Sequence, residues 1–292
     1  MCKILIVSPV RNEGEYIEKT LESVVSQSVL PFKWIIVNDG SSDRTEELVR
    51  SYAERFPWIQ LVNKPDRGAR AVGPGVVEAF YYGLDMEVLD DYDFVCKMDG
   101  DISFGPDYFK NLLEKFEADK SLGAASGKPY IVVDGKEIPE RTNDEMVAGQ
   151  INFYRTVCFK SIDGFVRQVH WDAIAFHRAR MGKWRTKSFD ELGLRFIHLR
   201  IMGSSDRSLM VGRLRWGKGQ YFIGTHPLYL LAIGVYRAFE RPFIIGGVLI
   251  VFGYLRSWIK RESRYEYPGF RKSLHAWQLE RLGIGKRLEI ID

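Results

Sequence analysis

Residues 92–101 of the chain read YDFVCKMDGD, and this stretch decides the fold. Its apolar segment, Phe94–Met98, predicts a strand. Two acidic residues, Asp99 and Asp101, follow the strand directly with one glycine between them. In an open parallel sheet, ligands bind beyond the carboxyl ends of the strands. The stretch therefore predicts two carboxylates at the binding edge of a sheet, provided that the rest of the chain supplies the neighbouring strands.

Upstream of this stretch, short apolar runs alternate with segments of helical spacing. The pattern predicts strands at residues 3–8, 32–39 and 59–62. It predicts helices at residues 15–25, from Ser42 or Asp43 to Phe56, and near 76–86. Strands that alternate with helices form a mainly parallel sheet with right-handed crossovers. The predicted fold class is therefore α/β.

Polar side chains also follow the first two predicted strands. Residues 9–13 come after the first strand, and Asp39 ends the second. Because the strands are predicted to be parallel, these positions should meet Asp99 and Asp101 at one edge of the sheet. Pro9 shapes the strand exit, and a helix start beside Asn12 and Glu13 faces the same crevice. The polar clusters are therefore expected to converge.

The alternation weakens after Gly127, and residues 128–225 mix short strands with the basic, helix-like stretch WDAIAFHRARMGKW at 171–184. This half is expected to cover the crevice. We therefore predict one large domain at 1–225, made of halves 1–127 and 128–225. A helical extension is predicted at 226–292.

The first part of the extension is apolar and nearly without charge. From residue 222 to 259 the only charged residues are Arg237, Glu240, Arg241 and Arg256. Its longest uncharged segment, PFIIGGVLIVFGYL, is shorter than the roughly 20 residues that a membrane-spanning helix needs. We predict two apolar helices that break near Pro242, followed by further basic residues. These helices could lie against an anionic membrane face, pack as a hairpin, or form a dimer interface.

Composition excludes several classes of protein. The 292 residues are 46% hydrophobic with a net charge of +4, which is unlike a disordered chain. Cys2, Cys96 and Cys158 are too few and too far apart for a disulfide framework or zinc knuckle. The N-terminal apolar run stops at Val10, which favours a first strand over a signal peptide. We expect a cytoplasmic location, with the inner face of the cell membrane as the alternative.

The charge distribution indicates an anionic partner. Lys and Arg are dense in residues 178–187 and 256–272. Donor phosphates or anionic lipid fit this pattern. No nucleic-acid-binding module is present in the sequence, so nucleic acid is not expected as a partner.

The pair Asp99 and Asp101 indicates a metal. Two carboxylates two residues apart in a loop can both turn towards one hard cation, and Mg²⁺ and Mn²⁺ prefer oxygen ligands. The alternative is a turn in which Asp and Gly only supply backbone geometry. Asp39 is interpreted as a contact to a base or ribose, whereas Asp43 is interpreted as a helix cap.

Four segments occur in a specific order: VSPVRNE at 7–13, VNDGSSDRT at 37–45, KPDRGAR at 64–70 and KMDGDISFGPDYF at 97–109. In this order and spacing they resemble the family 2 glycosyltransferases, which are inverting enzymes of the GT-A fold. The resemblance covers roughly residues 3–110. The tail is similar to that of bacterial members that serve exopolysaccharide or cell-envelope glycans.

The resemblance implies an enzyme that transfers a sugar from a nucleotide diphosphate donor, UDP or GDP, to the hydroxyl of a glycan or lipid-linked glycan. It also implies a DxD motif in which Asp101, with Asp99 alongside, binds Mg²⁺ or Mn²⁺. Relatives often read Asn-x-Gly where this chain has Arg67 and Gly68. The implied nucleotide-sugar contacts are Pro9, Val10, Asn12, Glu13, Asp39, Arg67, Gly68, Asp99 and Gly100.

The family also uses a general base downstream of a Gly-Gly-Phe segment, commonly an Asp after a Glu. The resemblance assigns this role to Asp172 within CFKSIDGFVRQVHWDAIAF. The chain departs from the pattern, because Trp171 precedes the base and Asp163 replaces the first glycine. Asp172 could alternatively be the N-cap of the following helix. His198 is expected either as a third metal ligand, as in some GT-A enzymes, or as a buried structural residue.

Other functions fit the sequence less well. A sugar nucleotidyltransferase would need a Gly-rich phosphate loop near the N-terminus, and a dinucleotide oxidoreductase would need GxGxxG after the first strand. Neither motif is present in VSPVRNEGEYI. A catalytically silent GT-A scaffold that binds glycan or membrane remains the alternative from another class. Retention of Asp39, Asp99, Asp101 and Asp172 argues against it.

Overall fold

The computed structural model describes residues 2–66, 68, 73–140, 143–200, 209–240 and 242–284. It divides into two compact units, residues 1–202 and 203–292. The structural division therefore falls well before residue 225, where the sequence predicted the end of the first domain. How much of the chain forms the catalytic domain in the functional sense stays a prediction.

The first unit contains two sheets and the helices that flank them. Its strands are β1 (Ile4–Val10), β2 (Lys33–Asn38), β3 (Ile59–Asn63), β4 (Phe94–Met98), β5 (Ile102–Phe104), β6 (Leu122–Gly127), β7 (Pro129–Val133), β8 (Lys136–Pro139), β9 (Ile151–Arg155), β10 (Arg185–Phe189) and β11 (Phe196–His198). Its helices are α1 (Ile17–Val25), α2 (Thr45–Arg55), α3 (Pro74–Leu84), α4 (Tyr108–Ala118), α5 (Thr156–Ser161) and α6 (Trp171–Met181). The strand and helix boundaries predicted up to residue 98 agree with these within a few residues.

The larger sheet has seven strands in the order β10-β6-β9-β4-β1-β2-β3. Neighbouring strands are parallel except at β9, which is antiparallel to both β4 and β6. Helices cover both faces, so the central strands are mostly apolar, and β1 and β2 are almost completely buried. The predicted mainly parallel α/β sheet is therefore confirmed.

The smaller sheet has the order β5-β11-β7-β8. Strand β11 is antiparallel to β5 and parallel to β7. Because β5 follows the DGD loop directly, β11 is held beside that loop. The smaller sheet thus brings residues from far along the chain to the end of β4.

The second unit consists of helices α7 (Leu209–Ile223), α8 (Pro227–Ala238), α9 (Ile245–Ile259) and α10 (Phe270–Arg281). Helix α7 packs against α9 with almost no side chain between the backbones. A Cβ atom at Gly217 would lie 2.0 Å from the carbonyl oxygen of Ile250, and one at Gly253 would lie 2.4 Å from that of Leu214. This close packing places α7 in the second unit, which explains why the structural boundary precedes residue 225.

The predicted apolar helices correspond to α8 and α9, and Pro242 lies in the turn between them. Within the described residues, none of the helices combines the length and the apolar character that crossing a bilayer requires.

Candidate active site

The candidate site lies where β1, β2 and β4 end side by side. Val10 pairs with Asn38 at the carboxyl ends of β1 and β2. The backbone N–H of Asp39 donates to the carbonyl oxygen of Val10 at 2.9 Å, which extends this pairing past the strand end. Strand β4 pairs with the other side of β1. Pro9, Val10, Asp39 and Asp99 therefore belong to one edge of the sheet, as the sequence predicted.

The loop after β1 is fixed by hydrogen bonds to the start of α2. Asn12 has a left-handed backbone (φ 55°), which Asn tolerates better than most residues. Its side-chain oxygen accepts from the backbone N–H of Ser42 at 2.8 Å. The backbone N–H of Glu13 donates to the Thr45 hydroxyl at 2.8 Å. The first two polar segments are thus held against each other.

Asp43 has a structural role, but the N-cap of α2 is Arg44 and not Asp43 as the sequence indicated. Its carboxylate accepts from the backbone N–H groups of Thr45 at 3.0 Å and Gly14 at 2.9 Å. These hydrogen bonds lower the pKa of Asp43 although burial opposes them. Asp43 therefore satisfies the first turn of α2 and ties it to the β1 loop, rather than facing a ligand.

Asp39 is almost completely buried and lies among cationic groups. Its Oδ1 atom is 3.2 Å from Nζ of Lys64, and Arg11 donates to its carbonyl oxygen. Arg11 also pairs with Asp66 at 2.7 Å. The backbone N–H of Gly68 donates to Asp66 at 3.0 Å, and Gly68 has φ 77°. Arg67, the other expected residue of this turn, lies outside the described residues.

Gly100 explains why the acidic pair is separated by a glycine. A Cβ atom at this position would lie 2.8 Å from Cδ1 of Ile17 and 2.9 Å from Cγ1 of Val10. Glu13 is also close, at 3.5 Å. A larger residue would push the loop away from the exit of β1. The glycine therefore keeps Asp99 and Asp101 beside the residues that follow β1.

Asp99 pairs with a lysine that comes from the strand itself. The side chain of Lys97 is 3% exposed and its Nζ atom is 2.5 Å from Oδ1 of Asp99. The same Nζ donates to the carbonyl oxygen of Gly149 at 2.9 Å. Burial raises the pKa of Asp99, and the charge of Asp101 raises it further, while Lys97 opposes this. Lys97 thus stabilises the ionised carboxylate.

Asp101 faces His198, which comes from β11. Nε2 of His198 is 3.6 Å from Oδ2 of Asp101, and Nδ1 is 3.1 Å from Oε2 of Glu140. Burial would lower the pKa of His198, but hydrogen bonds to the two carboxylates raise it to about 10. The imidazole is therefore held between two acids, with Glu140 fixing its orientation.

Arg200 closes the cluster. Its Nε atom is 2.7 Å from Oδ2 of Asp101, and its Nη2 atom contacts the carboxylate of Glu13. The guanidinium carbon lies 5.1 Å from the centre of the Tyr16 ring. All three charged side chains are mostly buried. Arg200 therefore joins the β1 loop to the DGD loop through one buried guanidinium group.

The donor set around Asp101 fits a divalent cation. Two carboxylates and an imidazole whose other nitrogen bonds to a carboxylate are typical of a metal ligand shell and its supporting residues. Arg200 nevertheless engages the Asp101 oxygen that faces His198. Among the described residues, no group of three or more His, Cys, Asp or Glu side chains is already arranged to hold a metal ion. A cation would therefore have to take the place of the Arg200 guanidinium on Asp101.

Asp172 lies inside the first turn of α6 and is not its N-cap. The N-cap is His170, whose backbone is left-handed (φ 65°). Oδ1 of Asp172 accepts from the backbone N–H of Ala173 at 2.9 Å. Its Oδ2 atom is 3.6 Å from where a Cβ atom at Gly149 would be. The alternative interpretation of Asp172 as N-cap is therefore wrong, and the residue lies next to the Gly149 segment that holds Lys97.

The unusual Asp163 is accommodated by the backbone before α6. Asp163 and Gly164 are both left-handed, with φ of 50° and 66°. Asp adopts this conformation more readily than most residues with a side chain, so it can replace a glycine here. Its carboxylate pairs with the buried Arg178. This pair also shows that part of the basic stretch 178–187 serves the fold and not an anionic partner.

The sequence did not reveal the charged residues that surround the acidic pair: Lys97, Glu140 and Arg200. A usable signal existed for Lys97 alone, since a lysine inside a buried strand needs a partner. Glu140 ends a mostly exposed hairpin, and Arg200 lies two residues beyond His198. Neither position reveals that the smaller sheet carries it to Asp101.

Comparison with known proteins identifies the family. The family model Glycosyl transferase family 2 matches residues 5–183, which is more than half of the chain. The chain is also 30% identical over 158 residues to the poly-beta-1,6-N-acetyl-D-glucosamine synthase of Staphylococcus aureus, and 28% identical to that of Staphylococcus epidermidis. Each match covers 54% of this chain and 32% of the relative, so the chain spans about a third of the curated relatives' length.

Solved structures with similar folds include a mannosyltransferase and TarS. A mannosyltransferase from Pyrobaculum calidifontis, in complex with GDP-Man and Mn²⁺, aligns with a TM-score of 0.59 at 16% identity over 89% of this chain and 88% of its own. Residues 1–349 of S. aureus TarS, in complex with UDP-GlcNAc, align with a TM-score of 0.54 at 14% identity over 99% and 95%. The predicted GT-A fold is confirmed. The chain belongs to glycosyl transferase family 2.

Proposed function

We propose that this family 2 member transfers a sugar from a nucleotide diphosphate sugar to an acceptor hydroxyl, with inversion at the anomeric carbon and with a divalent metal. The observation that carries this proposal is the connection between the acidic groups. Lys97 contacts Asp99 and the carbonyl of Gly149, and Asp172 lies beside Gly149. The residue proposed as the base and the acidic pair are thus linked through Lys97 and the Gly149 segment.

Asp172 is the proposed general base. Its carboxylate accepts the proton of the acceptor hydroxyl while that oxygen forms a bond to the anomeric carbon. The bond from the anomeric carbon to the diphosphate oxygen breaks in the same displacement, so the configuration inverts without a covalent enzyme intermediate. Fixing Asp172 in the first turn of a helix favours this role, because its hydrogen bond to Ala173 restricts the side chain.

Asp101, Asp99 and His198 are the residues that would hold the metal. When bound, Mg²⁺ or Mn²⁺ supplies Lewis-acid stabilisation for the charge that develops on the leaving diphosphate. Glu140 keeps Nε2 of His198 directed towards Asp101. We assign Arg200 as the cation that neutralises Asp101 when no metal is bound.

The nucleotide is proposed to bind over the ends of β1 and β2. Pro9, Val10, Asn12 and Glu13 line the approach, and Asp39 accepts hydrogen bonds from the base or ribose. Gly68 and Gly100 allow the backbone to approach the donor closely, because neither carries a side chain. Arg67 and the cations Arg11 and Lys64 would add positive charge near the phosphates.

The donor is proposed to be a UDP sugar, with a GDP sugar as the second choice. The curated relatives are named as poly-N-acetylglucosamine synthases, and one aligned structure holds UDP-GlcNAc. Another aligned structure holds GDP-Man with Mn²⁺. The acceptor is proposed to be a glycan or lipid-linked glycan in polysaccharide biosynthesis, at the cytoplasmic side of the cell envelope.

A thermal-unfolding panel of UDP, GDP, dTDP and CMP sugars, each with and without Mn²⁺, tests this function. One donor class should raise Tm in the presence of Mn²⁺, since a ligand at about 100 times its Kd adds about 2.7 kcal/mol. Asp39→Asn should weaken that shift. Asp90→Asn should not, because it changes an exposed carboxylate that pairs with Lys160. If no donor shifts Tm and no donor is hydrolysed with Mn²⁺, the chain is a silent scaffold and the proposal fails.

A further inference from the structure

Helix α8 exposes a row of large apolar side chains. Leu228, Leu231, Val235 and Phe239 follow one another at steps of three or four residues and are 47–77% exposed. This spacing places them on one face of the helix, where a water-facing helix normally carries polar residues. The face is therefore not covered by the other described helices of the second unit.

Helix α9 repeats the pattern. Ile245, Val248, Phe252, Leu255 and Ile259 are also spaced by three or four residues and are 43–73% exposed. We call the two rows together the apolar stripe. It joins two neighbouring helices, so it forms a surface rather than a set of isolated side chains.

Both rows lie on the same side of the helix pair. Gly247 meets Gly234 and Ala238 of α8, and Gly234 also meets Val251, so the helices run antiparallel. A helix turns by about 100° per residue. Counted from the glycine that contacts the other helix, the exposed row of each helix is centred roughly 110° around the helix axis. Because the two helices are antiparallel, the same rotation turns both rows to the same side of the pair. Helix α7 packs on the opposite side, through Ile250 and Gly253.

Among the described residues, the two exposed rows contain no charged side chain, and basic residues lie near the end of α9. Arg237 pairs with Glu240, and its guanidinium stacks on Trp216 of α7, away from the stripe. Arg256 in the last turn of α9 is exposed, and so are Lys260 and Arg261 directly after the helix. Trp258 is 58% exposed among them. An aromatic ring beside several cations is typical of side chains that face lipid headgroups.

The backbone packing of the helices also favours lipid. Gly234 with Gly247 and Gly217 with Ile250 bring helix backbones together without intervening side chains. Small residues at helix contacts are typical of helices that pack where water is scarce. They leave the large apolar side chains on the outside, where a lipid surface can accept them.

From these observations we propose that the α8–α9 hairpin docks on an anionic lipid bilayer, with the apolar stripe at the boundary between headgroups and acyl chains. Arg256, Lys260 and Arg261 then bind lipid phosphates. A second copy of the chain is a poorer partner, because it would bring the same basic residues, Arg256, Lys260 and Arg261, towards the stripe. The proposal does not depend on the nucleotide chemistry of the first unit.

Flotation of the full chain with vesicles tests this surface. The chain should float with vesicles that contain phosphatidylglycerol and should bind phosphatidylcholine vesicles less, with binding to the former weakened by salt. The double variant Val248→Ser/Phe252→Ser should lose about tenfold or more in affinity, because two exposed apolar groups no longer enter the boundary. Lys260→Glu/Arg261→Glu should lose the preference for anionic lipid.

Val88→Ser/Leu192→Ser is the matched control, because these side chains are at least as exposed as Val248 and Phe252 but belong to the first unit. It should float like the unchanged chain, and all variants should keep the same Tm. Sedimentation separates the competing occupant. The membrane proposal would be overturned if the chain did not bind vesicles and sedimented as a dimer, and if Val248→Ser/Phe252→Ser converted that dimer to a monomer.

Discussion

The strand-end site of the first unit and the apolar hairpin of the second depart from ordinary burial in opposite ways. The site buries charge: the side chains of Glu13, Lys97 and Asp101 are 3–11% exposed. The hairpin exposes hydrocarbon and buries glycine backbone. Each arrangement is costly in water unless something else compensates it. In the site the compensation is a set of paired side chains, whereas the hairpin has no protein cover among the described residues.

The two regions therefore obtain their stability from different contacts. In the site, removal of one partner of a buried charged pair should strongly destabilise the fold. In the hairpin, addition of a side chain where two helix backbones touch should be destabilising. Substitutions of the two kinds can therefore be used to separate the regions experimentally.

Asp172→Asn should have the largest effect. If its carboxylate removes the acceptor proton, turnover should fall by about 10²–10⁴-fold while the thermal shift produced by the donor stays the same. The measurement is initial rate with the donor that the Tm panel identifies. Asp90→Asn serves as the control, because its carboxylate forms an exposed pair with Lys160. Unchanged turnover in Asp172→Asn would place the base elsewhere.

The strand-end convergence could be predicted because it depends on local patterns. Apolar runs followed by Asn12, Asp39 and Asp99 indicate parallel strand ends, and parallel strand ends meet. Gly100 and the left-handed Asn12 fit the same local logic. The sequence analysis therefore anticipated the part of the site that the first four strands build.

The remainder depends on long-range pairing that no local pattern reveals. Arg200 and Glu140 reach Asp101 only because β11 lies between β5 and β7. The antiparallel β9 and the packing of α7 against α9 are likewise decided by tertiary contacts. Asp172 was a candidate N-cap because Asp is common at that position. The N-cap is instead the left-handed His170, directly before the first helical residue, Trp171.

Arg200→Met should lower the unfolding free energy by removing one partner of the buried charged cluster. Glu13 and Asp101 would keep their charges without the buried guanidinium, which costs about 3 kcal/mol in unfolding free energy. Mn²⁺ should recover part of this loss, because a cation can now reach Asp101 without competition. Urea unfolding with and without Mn²⁺ measures both effects. Arg195→Met, which breaks an exposed pair with Asp190, should cost only about 0–1 kcal/mol.

The comparison between metal responses decides the role of Arg200. Mn²⁺ should stabilise Arg200→Met more than the unchanged chain. It should do little for Arg200→Met/Asp101→Asn, which lacks the carboxylate. Equal stabilisation of all three proteins would show that the guanidinium and the metal do not share Asp101.

Gly217→Ala tests the backbone contacts of the second unit. Its Cβ atom would meet the carbonyl of Ile250, so we expect a loss of about 1–3 kcal/mol in unfolding free energy. Gly212→Ala lies in the same helix with nothing within 4 Å of its Cβ position, and should gain about 0.5–1 kcal/mol from helix propensity. If both substitutions stabilise the chain, α7 and α9 are not in backbone contact.

A pH-dependent effect is expected from an ionisable group that the first unit buries inside α6. His177 is 3% exposed, and burial, together with the nearby charge of Arg180, lowers its pKa from 6.5 to about 3. Between these pH values the unfolded chain binds a proton that the folded chain does not. Stability should therefore rise with pH across this window, and fall as pH decreases below about 6.5, by up to about 1.4 kcal/mol per pH unit.

His177→Leu removes this group and isolates its contribution. The unfolding free energy of the variant should depend less steeply on pH between 6 and 4 than that of the unchanged chain, whatever its absolute value. Urea titrations at several pH values, followed by tryptophan fluorescence, give both slopes. Parallel slopes would mean that His177 accepts its proton in the folded chain. The first unit would then hold a second buried positive charge near Arg180. That result would contradict the inference that buried charges in this unit must be paired.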